Sequence, residues 1–392
     1  MAGRSARTVF IALYMLLSGN NSSLPENCRL LCCKYAVFGY DQSRASLQKD
    51  KDMYLRNRWY VAAWNHELGD APLARTIMDE PIVFFRDGEG NPVALEDSCA
   101  HRYMALSEGK IVDGCIQCPY HGLEYDNKGV CVTVPGQAKV PPGAAVKAYP
   151  VAEKYRYIWI WPGDPALADE ALIPDFHWND DPDWVAVGDY FYVKGSYRLL
   201  IDNLLDLSHV AYVHATTLGT DGVANFPVKV RHEEDKVHVE RWIFGEPVAP
   251  MFQMAGGFEE GVDVDRWQLI HYQEPSHFMI DVGCAIADTG ATDGDRSQGI
   301  TMFSNHTLTP ETESSTHYFW HHARDFRLDE DALTEKLAKA TSTAFGEDVI
   351  IIETQQDRME RAGPQKAIID INADAGVLQA RRLLDKLIDA ES

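Results

Sequence analysis

The sequence predicts an α+β protein: an N-terminal all-β domain, followed by an α+β domain with a twisted antiparallel sheet flanked by helices. Short apolar segments separated by turn residues follow one another between Trp59 and Trp161, as in an all-β domain. Longer alternating segments fill residues 226–320, as in a large antiparallel sheet. Helical apolar spacing covers residues 328–361 and 376–390, where it predicts a long helix and a C-terminal helix.

Two breaks divide the chain. Pro162-Gly163-Asp164-Pro165 interrupts the strand pattern, and it predicts domains at 53–165 and 166–392. Residues 1–52 form an atypical extension, which we expect to be disordered or foreign to the native protein, with the natural start near Met53. Its apolar run VFIALYMLLSG has the size of a signal-peptide core and is too short for a membrane span. A targeting segment is the alternative interpretation.

Composition excludes some partners and favours one compartment. The 392 residues have a formal net charge of −23, and nucleic acid, whose phosphates bind clustered Lys and Arg, is not an expected partner. Ordinary proportions of hydrophobic residues (45%) and charged residues (24%) predict a globular protein without stable membrane association. The eight cysteines do not form a disulfide pattern, so we expect a reducing, cytoplasmic location.

The stretch from Cys99 to His121 carries the first chemical motif. Cys99 and His101 are one residue apart, and Cys118 and His121 follow with two residues between them. Two loops that each offer one thiolate and one imidazole match the ligands of a Rieske [2Fe–2S] cluster, in which two cysteines bind one iron and two histidines the other. Zinc is a weaker alternative, because zinc fingers usually segregate the cysteine and histidine pairs. The Cys115-x-x-Cys118 spacing would also fit a redox dithiol, which leaves the histidines without a role.

A second motif lies in residues 198–214. Asp206 and His209 are three residues apart, and His214 follows five residues later. Two histidines and a carboxylate with open coordination positions suit a mononuclear non-haem Fe(II) site. On a regular helix the two histidines would point about 140° apart, so a shared iron requires a distorted helix or one that ends near Tyr212. The alternative is a set of ordinary polar residues on a half-buried helix.

These motifs resemble those of the Rieske non-haem iron oxygenases. The loop segments CAHRYMALSEG and CPYHGLEYD, the segment DNLLDLSHVAYVH and the sequences WPGDPALAD, VDRWQ and GVLQARRLLDKL are most similar to vanillate O-demethylase oxygenase subunits and dicamba-type monooxygenases. The resemblance implies that Asp348 on the late helix completes the iron site with His209 and His214. The neighbouring Glu347 is the less favoured carboxylate.

The resemblance also implies the activity and the partners. We expect a terminal oxygenase that uses O₂ and electrons from an NAD(P)H-dependent reductase of the flavin and ferredoxin type. Its reaction would be oxidative O-demethylation of a methoxylated, vanillate-like aromatic, with release of formaldehyde. A head-to-tail homotrimer would place Asp206 between the mononuclear iron and His121 or His101 of a neighbouring subunit. The alternatives are hydroxylation of a methyl group or ring carbon, as in an arenesulfonate, and a pure Rieske electron carrier.

Some residues are open to two interpretations. Met251, Phe252, Met254 and Trp267 could line a substrate pocket, although Met and aromatic side chains more often belong to the core. The histidines beside Trp320 occur in a strand-like run, where we expect packing or hydrogen bonding rather than metal binding. They are His317, His321 and His322.

Overall fold

The computed structural model describes residues 53–214, 225–233, 235–363 and 368–391. The prediction for the N-terminal extension lies outside the described residues. From Met53 onward the chain forms one compact unit.

The N-terminal part is built from eleven short strands, in agreement with the predicted all-β architecture. They are β1 (Tyr60–Trp64), β2 (Leu73–Ile77), β3 (Glu80–Arg86), β4 (Pro92–Glu96), β5 (Lys110–Val112), β6 (Cys115–Gln117), β7 (Glu124–Tyr125), β8 (Cys131–Thr133), β9 (Ala148–Tyr149), β10 (Val151–Lys154) and β11 (Tyr157–Ile160). They form three small sheets with the orders β1-β11-β10, β2-β3-β4-β9 and β5-β6-β7-β8.

The β3–β4 hairpin leads directly into the first metal-binding loop. Its turn is fixed by Asp87, whose Oδ1 accepts hydrogen bonds from the backbone N–H groups of Glu89 and Asn91, each at 3.0 Å. Such Asx turns are a common use of Asp in tight connections. The interior residues of β3 and β4 are buried, so the hairpin gives the following loop a rigid base.

The C-terminal part contains one seven-stranded antiparallel sheet with the order β12-β18-β17-β16-β15-β14-β13. Its strands are β12 (Val185–Val193), β13 (Val228–His232), β14 (Lys236–Pro247), β15 (Asp263–Gln273), β16 (His277–Ile286), β17 (Gly299–Thr312) and β18 (Ser315–Arg324). The sheet starts with a strand that precedes the predicted alternating region. β12, the first strand of this sheet in the sequence, pairs with β18, the last one, and lies at one edge of the sheet.

Five α-helices are present in the described part of the chain. They are α1 (Tyr197–Leu205), α2 (Val210–Val213), α3 (Pro250–Gly256), α4 (Asp331–Ala362) and α5 (Ala375–Glu391). The predicted long helix and C-terminal helix correspond to α4 and α5. The helical pattern at 198–214 is divided into two helices. Within the described residues, no helix combines the length and the apolar character that a membrane crossing requires.

The small sheets and the large sheet share buried contacts. Apolar residues of β1 and β11 belong to the same hydrophobic cluster as residues of α1, α5 and the large sheet. Two buried hydrogen bonds join the parts: His277 Nε2 donates to the carbonyl of Trp59 at 2.9 Å, and Thr309 Oγ1 donates to that of Val61 at 2.6 Å. The large sheet therefore carries the N-terminal strands on a packed and hydrogen-bonded surface.

Candidate metal centres

The two Cys/His loops are closed in the same way. In the first loop, the N–H of Tyr103 donates to the carbonyl of Cys99 at 2.9 Å, and in the second the N–H of Gly122 donates to that of Cys118 at 3.0 Å. A second bond in each loop joins the cysteine N–H to the carbonyl five residues later, at Met104 and Leu123, both at 2.8 Å. The two loops therefore have the same backbone hydrogen bonds, despite their different Cys–His spacing.

The four side chains divide by exposure. Cys99 and Cys118 are 1% and 2% exposed, whereas His101 and His121 are exposed, with their Nδ1 atoms 3.2 Å apart. The two imidazoles thus converge at the surface above two buried thiols. Burial raises the pKa of the Cys118 thiol and therefore disfavours the thiolate. Metal binding offsets this cost, because the metal takes the place of the thiol proton. The donor set fits a Rieske cluster, which the two buried thiols and the two exposed imidazoles would hold.

Close packing surrounds the loops. Gly122 has a φ of +74°, and a Cβ there would lie 3.0 Å from Pro135 Cγ, so a larger residue would be strained and crowded. Pro135 and the two histidines line a common surface depression. Tyr125 Oη lies 3.2 Å from Cys99 Sγ and accepts a hydrogen bond from the N–H of Ala100, also at 3.2 Å. Cys115, the other cysteine of the Cys115-x-x-Cys118 spacing, pairs with Val112 in the β5–β6 ladder.

The second centre begins at the interruption between α1 and α2. Asp206 is the C-terminal cap of α1, with an extended backbone, and its Oδ1 accepts the N–H of Ser208 at 2.7 Å. The guanidinium of Arg241 donates to the carbonyl of Leu207, which stabilises the open segment. The negative charge of Asp206 partly opposes the lowering of the pKa of Arg241 by burial. On a regular helix His209 and His214 would point about 140° apart. The interruption allows both side chains to point toward one site.

Asp348 of α4 completes a three-residue cluster with the two histidines. His209 Nε2 lies 3.5 Å from Asp348 Oδ1, and His214 Nε2 lies 3.2 Å from Asp348 Oδ2. One ligand atom from each residue lies within 4.8 Å of the others. Two imidazoles and one carboxylate are the donor set of the facial triad of non-haem Fe(II) oxygenases. The residues present therefore fit a mononuclear iron.

Neighbouring side chains hold this cluster. Glu347 Oε2 lies 2.8 Å from Nδ1 of His214, and Nδ2 of Asn203 donates to Asp348 Oδ1 at 3.1 Å. Glu347 therefore contacts a ring nitrogen on the far side of His214, and the structure places Asp348 at the cluster itself. Burial lowers the pKa of His209 despite the opposing charge of Asp348. For His214, burial acts in the same direction, but the carboxylates of Asp348 and Glu347 together raise the pKa.

A buried pocket opens from these residues between the large sheet and the helices. The empty space between its lining residues, with the open solvent at its mouth included, is about 760 Å³. Met251 and Phe252 line it, as one interpretation of the sequence predicted, whereas Met254 and Trp267 pack in neighbouring apolar clusters. The remaining lining residues are Asn203, Leu204, Asp206, Leu207, His209, Val210, His214, Arg266, Gln268, Ile270, Ile280, Val282, Ser304, His306, His322, Thr341, Ala344, Phe345 and Asp348.

Sequence reasoning missed His306 of β17, and it assigned His322 of β18 to packing or hydrogen bonding without placing it at the pocket. His306 lies fully buried, with Nδ1 2.7 Å from Tyr318 Oη and Nε2 3.0 Å from Ser304 Oγ. Burial, reinforced by nearby His322, lowers the pKa of His306 to about 3. The register Ser304↔His322 places His306 and His322 on the same sheet face, but alternation in the sequence does not show which face meets the pocket.

Two family models match the chain. The Rieske [2Fe-2S] domain model matches residues 58–150, and the vanillate O-demethylase oxygenase C-terminal domain model matches residues 193–390. The first match contains both Cys/His loops, and the second contains the His209, His214 and Asp348 cluster.

Relatives match nearly the whole of their own length. The iron-sulfur subunit of the toluene-4-sulfonate monooxygenase system of Comamonas testosteroni is 39% identical over 345 residues, covering 87% of this chain and 99% of that protein. The vanillate O-demethylase oxygenase subunit of Pseudomonas sp. (strain HR199 / DSM 7063) is 40% identical over 342 residues, covering 86% and 96%.

A solved structure with the same fold contains a non-haem iron. A crystal structure of dicamba monooxygenase with non-haem iron and dicamba has a TM-score of 0.74 and 34% sequence identity, covering 86% of this chain and 98% of that chain. The cofactors are thus a Rieske [2Fe–2S] cluster and a mononuclear non-haem iron. The chain belongs to the vanillate O-demethylase oxygenase family of Rieske monooxygenases, and it is an oxidoreductase.

Proposed function

We propose that the protein oxidatively O-demethylates a methoxylated, vanillate-like aromatic and releases formaldehyde. The observation that carries this proposal is the convergence of His209, His214 and Asp348 on a buried, mainly apolar pocket. An aromatic ring can occupy such a pocket through its apolar walls, while a methoxy carbon lies next to the metal ligands.

Each group has a separate role in this proposal. His209, His214 and Asp348 would hold the mononuclear iron, and Cys99, His101, Cys118 and His121 would hold the cluster. When bound, the mononuclear iron supplies O₂ activation for hydroxylation of the methoxy carbon, and the resulting hemiacetal loses formaldehyde. The apolar pocket walls hold the ring and exclude water, which protects the oxidant from unproductive reactions.

Electrons would reach the pocket through a neighbouring subunit. We infer a head-to-tail homotrimer, in which the exposed His101 and His121 of one subunit approach Asp206 of the next. A heterologous interface of this kind closes into a ring. Asp206 borders the pocket and is only partly buried, so its carboxylate could accept a hydrogen bond from an incoming imidazole. An NAD(P)H-dependent reductase of the flavin and ferredoxin type would reduce the cluster in the cytoplasm.

Turnover with methoxyaromatics tests the reaction. The purified protein, a compatible reductase and NADH should release formaldehyde from a methoxybenzoate in proportion to the substrate consumed. The His209→Ala variant should release none, while its cluster is still reduced by the same reductase. Oxidation of NADH without formaldehyde from any methoxy-substituted aromatic in a panel would contradict the proposal, whether or not a methyl-substituted aromatic is hydroxylated.

Hydroxylation of a methyl group is the second candidate. It is favoured by the relative from the toluene-4-sulfonate monooxygenase system, which is 39% identical to this chain, compared with 40% for the vanillate enzyme. The two activities have different products. A methylarene gives a stable benzylic alcohol, whereas a methoxyarene gives a phenol and formaldehyde, so product analysis of both substrate types assigns the reaction.

A further inference from the structure

His322 brings a polar atom into the pocket wall that the proposed iron chemistry does not use. Its side chain is buried, with 5% exposure, and its Nδ1 has no hydrogen-bond partner among the described residues. The other ring nitrogen, Nε2, lies 3.1 Å from the thioether sulfur of Met302. A buried polar atom without a partner is destabilising, and in a substrate pocket it indicates a group that the substrate satisfies.

The contact with Met302 determines which nitrogen carries the proton. A thioether sulfur is an acceptor and not a donor, so Nε2 of His322 is the protonated nitrogen and Nδ1 carries the free lone pair. Burial, reinforced by the charge of Arg324, lowers the pKa of His322 to about 4, so the ring is neutral near pH 7. His322 therefore offers a hydrogen-bond acceptor to the pocket, which suits an O–H donor and not a carboxylate.

Thr341 of α4 supplies a second such atom. Its Oγ1 is buried, lines the same pocket and has no partner among the described residues. Contacts at two positions along β18 show that α4 runs beside this strand. The guanidinium of Arg324 donates to Thr334 Oγ1 at 2.7 Å, and the rings of Trp320 and Phe345 lie 5.3 Å apart.

His322 lies midway between Trp320 and Arg324 on β18. The helix residues opposite this midpoint are those between Thr334 and Phe345. Thr341 and Ala344 are the pocket-lining residues among them, and only Thr341 of these two has a polar side chain. A hydroxyl can donate and accept at once, so Thr341 complements the acceptor of His322.

We propose that His322 and Thr341 form a subsite that binds a ring hydroxyl of the aromatic substrate. The hydroxyl donates its proton to Nδ1 of His322 and accepts the proton of Thr341. The inference rests on the proposed function and deepens it, because it selects hydroxylated aromatics among the possible substrates and assigns two specificity-determining residues.

The subsite has a defined position relative to the iron ligands. Thr341 and Asp348 are seven residues apart on α4, which corresponds to two turns on the same helix face and about 10 Å along the axis. This separation allows one aromatic ring to lie between the subsite and the metal ligands. The hydroxyl would then be held at one end of the ring while the methoxy carbon is presented at the other.

Ligand binding to the holoenzyme tests the subsite. The probes are 3-methoxybenzoate and its 4-hydroxy and 5-hydroxy derivatives, with Kd measured by calorimetric titration without reductase. We expect the wild-type protein to bind one hydroxylated probe at least about tenfold more tightly than the parent, because the parent leaves both buried groups unpaired. In His322→Leu and in the nearly isosteric Thr341→Val, this preference should fall toward one.

Matched variants separate recognition from folding. His322→Asn retains an acceptor near the position of Nδ1 and Thr341→Ser retains the hydroxyl, so both should keep most of the preference. An absent preference in the wild type would overturn the subsite and indicate that these atoms contact ordered water only. An unchanged preference in both His322→Leu and Thr341→Val would also overturn it.

Formaldehyde release distinguishes the two proposals. If formaldehyde forms without hydroxyl selectivity, the subsite is wrong and O-demethylation stands. If a hydroxyl-dependent preference that requires His322 and Thr341 occurs without formaldehyde from any probe, the reaction is wrong and the subsite stands.

Discussion

The two proposed metal centres differ in where their ligands come from and in how exposed they are. The cluster ligands lie within 23 consecutive residues, on two loops closed by matching backbone hydrogen bonds. The mononuclear site combines a helix interruption with a residue on α4, and Asp348 lies 134 positions after His214. His101 and His121 are exposed, whereas His214 and Asp348 are 2% and 5% exposed.

This contrast follows from the different tasks of the two centres. A centre that receives and passes electrons needs an edge that another protein can approach, and the exposed imidazoles provide one. A centre that activates O₂ needs to exclude water and hold an organic substrate, and burial provides both. Variants of one centre that leave the other unchanged therefore test whether the two are as separate as the structure indicates.

The largest effect is expected from removing a ligand of the buried centre. His209→Ala, His214→Ala or Asp348→Ala should each lose the mononuclear iron and reduce turnover to background, because two remaining side chains cannot hold the metal. The visible absorption spectrum of the Rieske cluster and the electron paramagnetic resonance signal of its reduced form should remain. Iron analysis with these spectra is the measurement, and Asp357→Ala, on the exposed side of the same helix, is the control. Retention of iron and turnover by Asp348→Ala would move the third ligand elsewhere.

The next effect concerns the proposed connection between the centres. Asp206→Asn preserves shape but removes the carboxylate, and we expect both metals to bind while electron transfer to the mononuclear iron slows by about a hundredfold or more, since outer-sphere changes commonly have effects of that order. Single-turnover reoxidation of the pre-reduced cluster, with substrate and O₂ present, measures it. Asp325→Asn, at an exposed aspartate, should behave as wild type. A wild-type rate in the Asp206 variant, or an active monomer, would remove the bridging role.

A smaller effect should follow from altering the support of one ligand. Glu347→Gln weakens the contact with Nδ1 of His214 but leaves all three proposed ligands, so we expect an affinity for Fe(II) about tenfold to a hundredfold lower. Equilibrium titration of the apoprotein with Fe(II) measures this change, and Glu335→Gln on the exposed part of α4 is the control. If Glu347→Gln bound no iron under saturating conditions, Glu347 would itself be a ligand.

The smallest expected effect concerns the buried histidine that joins the two parts of the chain. Burial lowers the pKa of His277 from 6.5 to about 4. The unfolded chain therefore binds more protons between these values, and the contribution of His277 to stability is complete above pH 6.5 and decreases as the pH falls toward 4.

Denaturant unfolding across this pH range measures the contribution. Replacing His277 by Asn should reduce the slope of the unfolding free energy by up to roughly 1.4 kcal/mol per pH unit. His66→Asn, at an exposed histidine, should leave the slope unchanged. Equal slopes in wild type and His277→Asn would show that the pKa of His277 is the same in the folded and the unfolded protein.

Local patterns were sufficient for the architecture and for much of the candidate sites. The turn residues and strand lengths before Trp161 predicted the all-β part, and apolar periodicity predicted α4 and α5 to within a few residues. The structure brings together the predicted residues His209, His214 and Asp348. Periodicity indicated one helix at 198–214. The segment after the interruption at Asp206 is hydrogen-bonded by the buried Arg241, a contact that a local pattern does not contain.

The sequence by itself indicated the four cluster ligands and the two histidines of the mononuclear site, because Cys/His spacing and the Asp206-x-x-His209 motif are local and depend on side-chain chemistry. Asp348 was expected only from the resemblance to the Rieske oxygenases. Only the tertiary structure decided what the pocket can recognise. His306, His322 and Thr341 are far apart along the chain, and each alone is typical of a buried strand or helix. They become one wall only because β17, β18 and α4 pack together, and burial then leaves His322 and Thr341 without partners where a substrate can supply them.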